Sequence, residues 1–205
     1  MNDKSDTSRS ASQVSRRDFL KAGAAATVLA ASGNYAFAQA SDEIRIGLIG
    51  CGGRGSGAAR DAINGSQNVK IVALGDVFQD RVDGCFDGLM KTAEESADLK
   101  AKIGVTKEKC FVGFDAYKKV IASGVDMVIL ATPPGFRPTH LQAAINAGKH
   151  VFMEKPVAVD APGVRTVIAA AARATQQKLG IVAGTQRRHQ NAYVETIKRL
   201  HAGAI

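Results

Sequence analysis

An acid, a base and a proline stand side by side at the end of an apolar run. Residues 151–153 are apolar, and Glu154, Lys155 and Pro156 follow at once. A lysine at the carboxyl end of a strand, partly desolvated beside a cofactor, can exchange a proton with a hydroxyl group. Neighbouring strand residues point to opposite sides, so we expect Glu154 to point away from Lys155. The alternative is a salt-bridged pair on the surface.

A glycine-rich turn precedes this motif by about a hundred residues. The sequence GCGGRG, residues 50–55, has the form G-x-G-x-x-G. Gly50 permits a tight turn, Gly52 lets a pyrophosphate approach the backbone, and Gly55 lets the following helix pack on the sheet. Together with Gly53, these glycines predict a dinucleotide-binding loop at a helix N-terminus. Arg54 is expected either to contact a phosphate or to face solvent.

Asp76 stands at the end of the second apolar run, 26 residues after Gly50. An acid at this place can accept hydrogen bonds from the ribose hydroxyls of an adenosine, which favours NAD over NADP. The spacing is somewhat longer than usual, so NADP is not excluded. The alternative for Asp76 is the N-cap of the next helix.

The fourth apolar run ends in ATPPGFRPTH, residues 131–140. Its two adjacent prolines stop the strand and keep the loop extended. We expect Thr132 and Pro133 to lie under the nicotinamide half of a bound dinucleotide. Three roles are open for His140, which stands at a predicted helix start: it contacts the cofactor, caps the helix or is exposed.

The elements that position these residues alternate along the chain. Predicted strands occupy residues 43–50, 69–77, 110–114, 125–132, 150–155 and 181–186. Predicted helices lie in residues 57–66, 79–103, 115–124, 138–149, 159–180 and 191–203. Near-continuous apolar strands separated by helices predict an α/β fold with a doubly wound parallel sheet, covered on both faces. Ligands then bind beyond the carboxyl ends of the strands, where all the motifs above fall.

The N-terminal segment resembles a bacterial twin-arginine signal. Arg16 and Arg17 are followed by DFLK and by a weakly apolar stretch, residues 22–38, which predicts no stable membrane span. Ala36-Phe37-Ala38 has the small-x-small form of a cleavage site. This resemblance implies recognition by the twin-arginine export machinery and a periplasmic or secreted location.

Charge and cysteine content restrict the other classes of function. Beyond residue 38 the chain carries 22 basic and 16 acidic side chains, and no basic run is interleaved with aromatics. This pattern argues against nucleic-acid binding. The three cysteines lack the spacing of a metal site or of a disulfide framework, so we predict no metal.

Several motifs together resemble the Gfo/Idh/MocA oxidoreductases: GLIGCGGRG, ALGDV, ATPPGFRPTH, AGKHVFMEKPVAVD and GTQRRHQ. The resemblance covers residues 43–205 and implies a Rossmann-type fold. It implies that Lys155 lies beside the nicotinamide and the reacting carbon as the catalytic residue, with Glu154 contacting the cofactor. It also implies that GTQRRHQ borders a carbohydrate-like substrate through Gln186, Arg187 and His189. Family members are often homo-oligomeric.

The resemblance also implies a domain organisation. We expect a signal in residues 1–38, a Rossmann domain in 39–186, and in 187–205 the start of an α+β substrate domain that is mostly missing. The first hypothesis is therefore an exported NAD(P)-dependent oxidoreductase of sugars or polyols, or its nucleotide-binding part. The alternatives are an NAD-dependent glycosidase of the same superfamily, resembling an N-acetylgalactosaminidase, and a nucleotide-binding fragment without catalysis.

Overall fold

A six-stranded parallel sheet forms the centre of the described chain. The computed structural model describes residues 43–204, so the predicted signal and its cleavage site lie outside the described part. The strand order is β3-β2-β1-β4-β5-β6, and every neighbouring pair is parallel. The strands are β1 (Ile44–Ile49), β2 (Val69–Asp76), β3 (Cys110–Val112), β4 (Met127–Leu130), β5 (His150–Glu154) and β6 (Ile181–Gly184). This order reverses between β1 and β4, which places a topological switch point there.

Helices cover both faces of the sheet, as the strand composition predicts. They are α1 (Gly53–Gly65), α2 (Gln79–Glu95), α3 (Ala97–Ala101), α4 (Ala116–Ala122), α5 (Arg137–Asn146), α6 (Ala161–Gln176) and α7 (Asn191–His201). Short 3₁₀ turns occupy Lys107–Lys109 and Gln186–Arg188.

Two apolar clusters fill the space between the sheet and its helices. Leu48 of β1 joins the cluster formed with α1 and α2, whereas its neighbour Ile49 joins the cluster formed with α4, α5 and α6. Successive strand residues point to opposite faces, so a continuous apolar run supplies both clusters. The α/β doubly wound parallel fold predicted from the sequence is confirmed.

Several element boundaries differ from the sequence prediction. The predicted strand 125–132 is only Met127–Leu130, and the strand predicted to reach residue 155 ends at Glu154. The helix expected from residue 57 begins at Gly53, inside the glycine-rich turn. The strand limits follow sheet pairing rather than apolar composition, because β4 is paired with β1 and β5 only over these four residues.

Several large apolar side chains near the end of the described chain are exposed. Helix α7 has no buried residue, and its exposed apolar side chains are Tyr193, Val194, Ile197 and Leu200. Val182 of β6 is also 60% exposed. No helix of residues 43–204 combines the length and the apolarity needed to cross a membrane.

Candidate functional site

The glycine-rich turn joins β1 to α1 at the carboxyl edge of the sheet. Gly50 has φ +98°, and a Cβ there would meet the Thr132 backbone nitrogen at 2.6 Å. A Cβ on Gly55 would stand 1.8 Å from the Gly50 carbonyl oxygen. Around Gly52 the space is open, with no atom within 4 Å of a Cβ built there. Two glycines are therefore required by the fold, while Gly52 leaves free room in front of the helix.

The Asp76 carboxylate is bound by two backbone N–H groups. The Cys51 N–H donates to Oδ2 at 2.6 Å, and the Phe78 N–H donates to Oδ1 at 3.1 Å. The first bond ties the end of β2 to the glycine-rich turn. Phe78, not Asp76, is the N-cap residue of α2, so the alternative role of Asp76 as helix N-cap is wrong.

A cleft of about 260 Å³ opens at the carboxyl ends of the central strands. Asp76, Thr132, Pro133 and His140 all line it, so four of the predicted cofactor-binding residues share one cavity. Aromatic side chains supply much of the remaining wall: Phe78, Phe114, Tyr117 and Phe136. No sequence motif marked these aromatics as cleft residues.

His140 is buried in the wall of this cleft, with 7% of its surface exposed. Its Nδ1 lies 3.2 Å from the Thr132 hydroxyl oxygen, and its ring stacks on Tyr117 with 4.3 Å between centroids. Burial lowers the pKa of His140 to about 4. Phe136 is the N-cap residue of α5 and His140 is buried, so the capping and the exposed alternatives for His140 are both wrong.

Glu154 and Lys155, at the end of β5, differ in burial, in keeping with the expectation that their side chains point to different sides. Glu154 is 3% exposed, and its Oε1 accepts a hydrogen bond from Arg54 Nε at 2.7 Å. Lys155 is exposed. The bond between Lys155 and Pro156 is cis. Arg54 therefore has a role that neither sequence alternative named: it pairs with the acid next to the predicted catalytic lysine.

Arg137, which was not among the predicted site residues, is buried behind the same strand end. Its Nη1 donates to the Glu154 carbonyl oxygen at 2.7 Å and to the Pro156 carbonyl oxygen. Burial lowers the pKa of the Arg137 guanidinium, and the nearby Glu154 charge opposes that shift. The only sequence signal for Arg137 is its place between Pro134 of the β4–α5 loop and Pro138 of α5.

A second, open pocket of about 330 Å³ holds Lys155 together with the residues after β6. Its lining is Lys155, Thr185, Gln186, Arg187 and Arg188. Gln186 and Arg187 thus share a pocket with Lys155, and their role in substrate binding stays a prediction. His189 is exposed and does not line this pocket. Arg188 was not among the predicted site residues.

These residues suit a dinucleotide phosphate. The open space at Gly52 lies at the N-terminus of α1, where the first N–H groups have no partner within the helix. The aromatic cleft lies beside it, on the Asp76 side. Gly50, Gly52, Gly53 and Gly55 would hold the phosphates of a dinucleotide, and Asp76 would accept hydrogen bonds from its ribose hydroxyls. Within residues 43–204, no three His, Cys, Asp or Glu side chains are grouped to hold a metal ion.

The fold and the glycine-rich turn define a dinucleotide-binding protein of the Rossmann class. The chain belongs to the Gfo/Idh/MocA family: residues 44–181 match the model described as an oxidoreductase family with an NAD-binding Rossmann fold. The family model confirms the predicted cofactor class, NAD. Residues 13–33 match the signal sequence of the twin-arginine translocation pathway, which confirms the predicted signal and indicates export by that pathway.

The chain is similar to inositol dehydrogenases in sequence and structure. It is 32% identical to inositol 2-dehydrogenase 4 of Saccharopolyspora erythraea over 163 residues, which cover 80% of this chain and 42% of that protein. It is 28% identical to the inositol 2-dehydrogenase of Salmonella typhimurium, over 79% of this chain and 43% of that protein. The chain therefore spans less than half the length of these relatives.

A solved structure provides a similar fold with a cofactor. The crystal structure of scyllo-inositol dehydrogenase from Lactobacillus casei, with bound NAD(H) and scyllo-inositol, aligns with a TM-score of 0.60 and 25% identity. The alignment covers 80% of this chain and 42% of that one.

Proposed function

We propose that this chain is the NAD-binding part of an exported oxidoreductase that acts on a hydroxyl or carbonyl group of a sugar or polyol. One observation carries the proposal. Lys155 lies at the end of β5 in a pocket with Gln186 and Arg187, next to the strand ends that form the nucleotide cleft. The similarity to inositol dehydrogenases favours a polyol substrate.

Each group has a defined task in this proposal. Bound NAD supplies a hydride acceptor for the substrate carbon. Lys155 exchanges a proton with the substrate oxygen at the same carbon, as general acid–base groups do within hydrogen-bond reach. Gln186 and Arg187 orient the substrate's other hydroxyl groups. Glu154 is held away from Lys155 by Arg54, so the acid does not neutralise the amine directly.

A domain boundary at residue 186 is part of the same proposal. Residues 39–186 would fold as the nucleotide-binding domain, and residues from 187 onward would begin a substrate-binding domain. The apolar side chains of α7 are about half exposed and support this division, since such a face packs on another element in most folded proteins. The periplasm or the medium is the proposed place of action, in view of the twin-arginine signal.

The test uses the complete product of the gene, with inositol isomers and hexoses as substrates. We expect NAD reduction in step with substrate oxidation, and Lys155→Ala should lower kcat by a factor of at least about 100. Lys149→Ala, at the opposite end of β5, is the matched control and should keep wild-type turnover. Unchanged turnover in Lys155→Ala would contradict the catalytic role. Glycosidic cleavage without net NAD reduction would favour the glycosidase alternative.

A further inference from the structure

The Arg137 side chain bridges the two residues that flank Lys155. Its Nη1 reaches the carbonyl oxygen of Glu154 at 2.7 Å and also the carbonyl oxygen of Pro156. Arg137, the first residue of α5, thereby holds the backbone immediately before and immediately after the lysine. We call these two hydrogen bonds the Arg137 clamp. Both bonds are charge-assisted, which makes them stronger than bonds between neutral groups.

These bonds lie where the sheet ceases to fix the chain. The pairing of β5 with β6 ends with Glu154 opposite Gly184, so Lys155 is the first residue past the last strand pair. A backbone segment beyond a strand end is normally free to vary its path. Arg137 extends the fixed segment by two residues, as far as Pro156.

The surroundings of Arg137 fit a positional role better than a purely stabilising one. The residue is 5% exposed, and a buried guanidinium is costly unless its donors are well paired. The nearest acid, Glu154, gives its carboxylate to Arg54. Arg137 Nε has no hydrogen-bond partner within residues 43–204. An arginine placed for stability alone would be expected to satisfy these donors with a carboxylate.

We propose that Arg137 is a positioning residue, which holds the backbone on both sides of Lys155 and so orients the lysine amine. The proposal rests on the catalytic role proposed for Lys155. It assigns Arg137 no contact with substrate or cofactor.

The first test uses NMR on the 205-residue chain to detect the two hydrogen bonds of the Arg137 clamp. An amide nitrogen senses the hydrogen bond to the carbonyl before it, so Lys155 and Val157 report the two bonds. We expect Arg137→Met to shift both amide signals and to increase the fast mobility of Lys155. Arg137→Lys keeps a charged donor and should restore part of both effects. It also keeps the test decisive if the Met variant does not fold.

The control is Arg165→Met, at an exposed position of α6, which should leave both amide signals in place. NADH affinity of the Arg137 variants should stay within about threefold of wild type, because the residue touches neither the glycine-rich turn nor Asp76. Unchanged signals and mobility in Arg137→Met would overturn the proposal.

The second test measures turnover in the complete gene product. We expect Arg137→Met to lower kcat about 10- to 100-fold, with KM changed less than about threefold. In a Lys155→Ala background the same substitution should have no further effect, since Arg137 acts through Lys155. An equal, additive loss in that background would overturn the positional role. If Lys155→Ala alone leaves turnover intact, the proposed function fails, while the NMR result still reports on the clamp.

Discussion

Arg54 and Glu154 connect the glycine-rich turn to the strand end that carries Lys155. Their side chains are joined at 2.7 Å although the residues stand 100 positions apart in the chain. The Glu154 side chain is 3% exposed, whereas that of Arg54 is 50% exposed. The proposed phosphate-binding and proton-transfer segments are thus held together by one partly buried ion pair.

Removing Arg54 should leave a buried carboxylate without its partner. We expect Arg54→Gln to lower the free energy of unfolding by about 1–3 kcal/mol, because an unpaired buried acceptor carries the full cost of its lost hydration. Glu154→Gln should cost less. Together the two changes should show a coupling energy of about 1–2 kcal/mol in a double-mutant cycle, measured by urea unfolding.

The matched control is the exposed pair of Arg199 and Glu195 on α7, whose nitrogen and oxygen are 3.0 Å apart. Exposed pairs at this spacing contribute about 0.3–0.5 kcal/mol. Equal coupling energies for the two pairs would show that burial of Glu154 has no energetic effect.

The sheet was predictable from the sequence because its signal is local. Each strand is a short apolar run and most of the helices between them carry their own stop signals, such as Gly148 with φ +69°. Strands β4 and β5 were predicted too long by one or two residues, because strand pairing sets their ends and the last pairs are at Leu130 and Glu154. The start of α1 at Gly53 was missed because glycines disfavour helices in general.

The site residues that could be predicted from the sequence are those that belong to a recognisable motif. The glycine-rich turn, Asp76 and Lys155 stand at strand ends, and parallel topology brings such ends to one edge. The Arg54–Glu154 pair and the Arg137 clamp were missed because their partners are set by tertiary packing. A backbone carbonyl acceptor, such as that of Pro156, leaves no mark in a sequence.

The glycines of the turn should separate folding from nucleotide binding. A Gly52→Ala methyl meets no atom within 4 Å, and φ −67° with ψ −179° suits alanine. We expect stability within about 1 kcal/mol of wild type. NADH affinity should fall at least about tenfold, because the methyl group occupies the space through which a pyrophosphate approaches. Fluorescence titration with NADH measures the affinity, and urea unfolding measures the stability.

Substitutions at two further glycines serve as comparisons for Gly52→Ala. Gly55→Ala should lose about 3 kcal/mol or fail to fold, since its Cβ would stand 1.8 Å from a backbone oxygen. Gly57→Ala, also in α1, meets only the Arg54 side chain at 3.7 Å and should keep both stability and affinity. Wild-type affinity in Gly52→Ala would contradict a phosphate at this turn.

Asp76 should determine the preference for NAD over NADP. Its carboxylate lines the nucleotide cleft and would repel a 2′-phosphate on the adenosine ribose. We expect Asp76→Asn to weaken NADH binding about tenfold and to bring NADPH affinity close to that for NADH. The ratio of the two affinities is the decisive measurement, because any distortion from the lost Cys51 bond affects both nucleotides alike. A ratio equal to that of the wild type would count against the ribose role.

His140 should make the stability of the chain depend on pH in a defined window. The buried imidazole has a pKa of about 4, below its ordinary value of 6.5, so between these values the unfolded chain binds the extra proton. Its stabilising contribution is therefore complete above pH 6.5 and is lost as the pH falls towards 4, by about 3 kcal/mol in all. The Arg45 guanidinium lowers the pKa of Asp126 from 3.8, so the effect of Asp126 on stability falls below this pH window.

The substitution His140→Phe should remove this pH dependence while keeping an aromatic ring against Tyr117. Urea unfolding at pH 7.5, 6 and 4.5 should show a stability loss in the wild type that the variant largely lacks. The exposed His201 provides the control, since His201→Gln should retain the wild-type slope. An imidazole NMR titration gives the pKa directly: protonation of His140 near pH 6.5 in the folded chain would show that the ring is hydrated and that the cleft wall is open there.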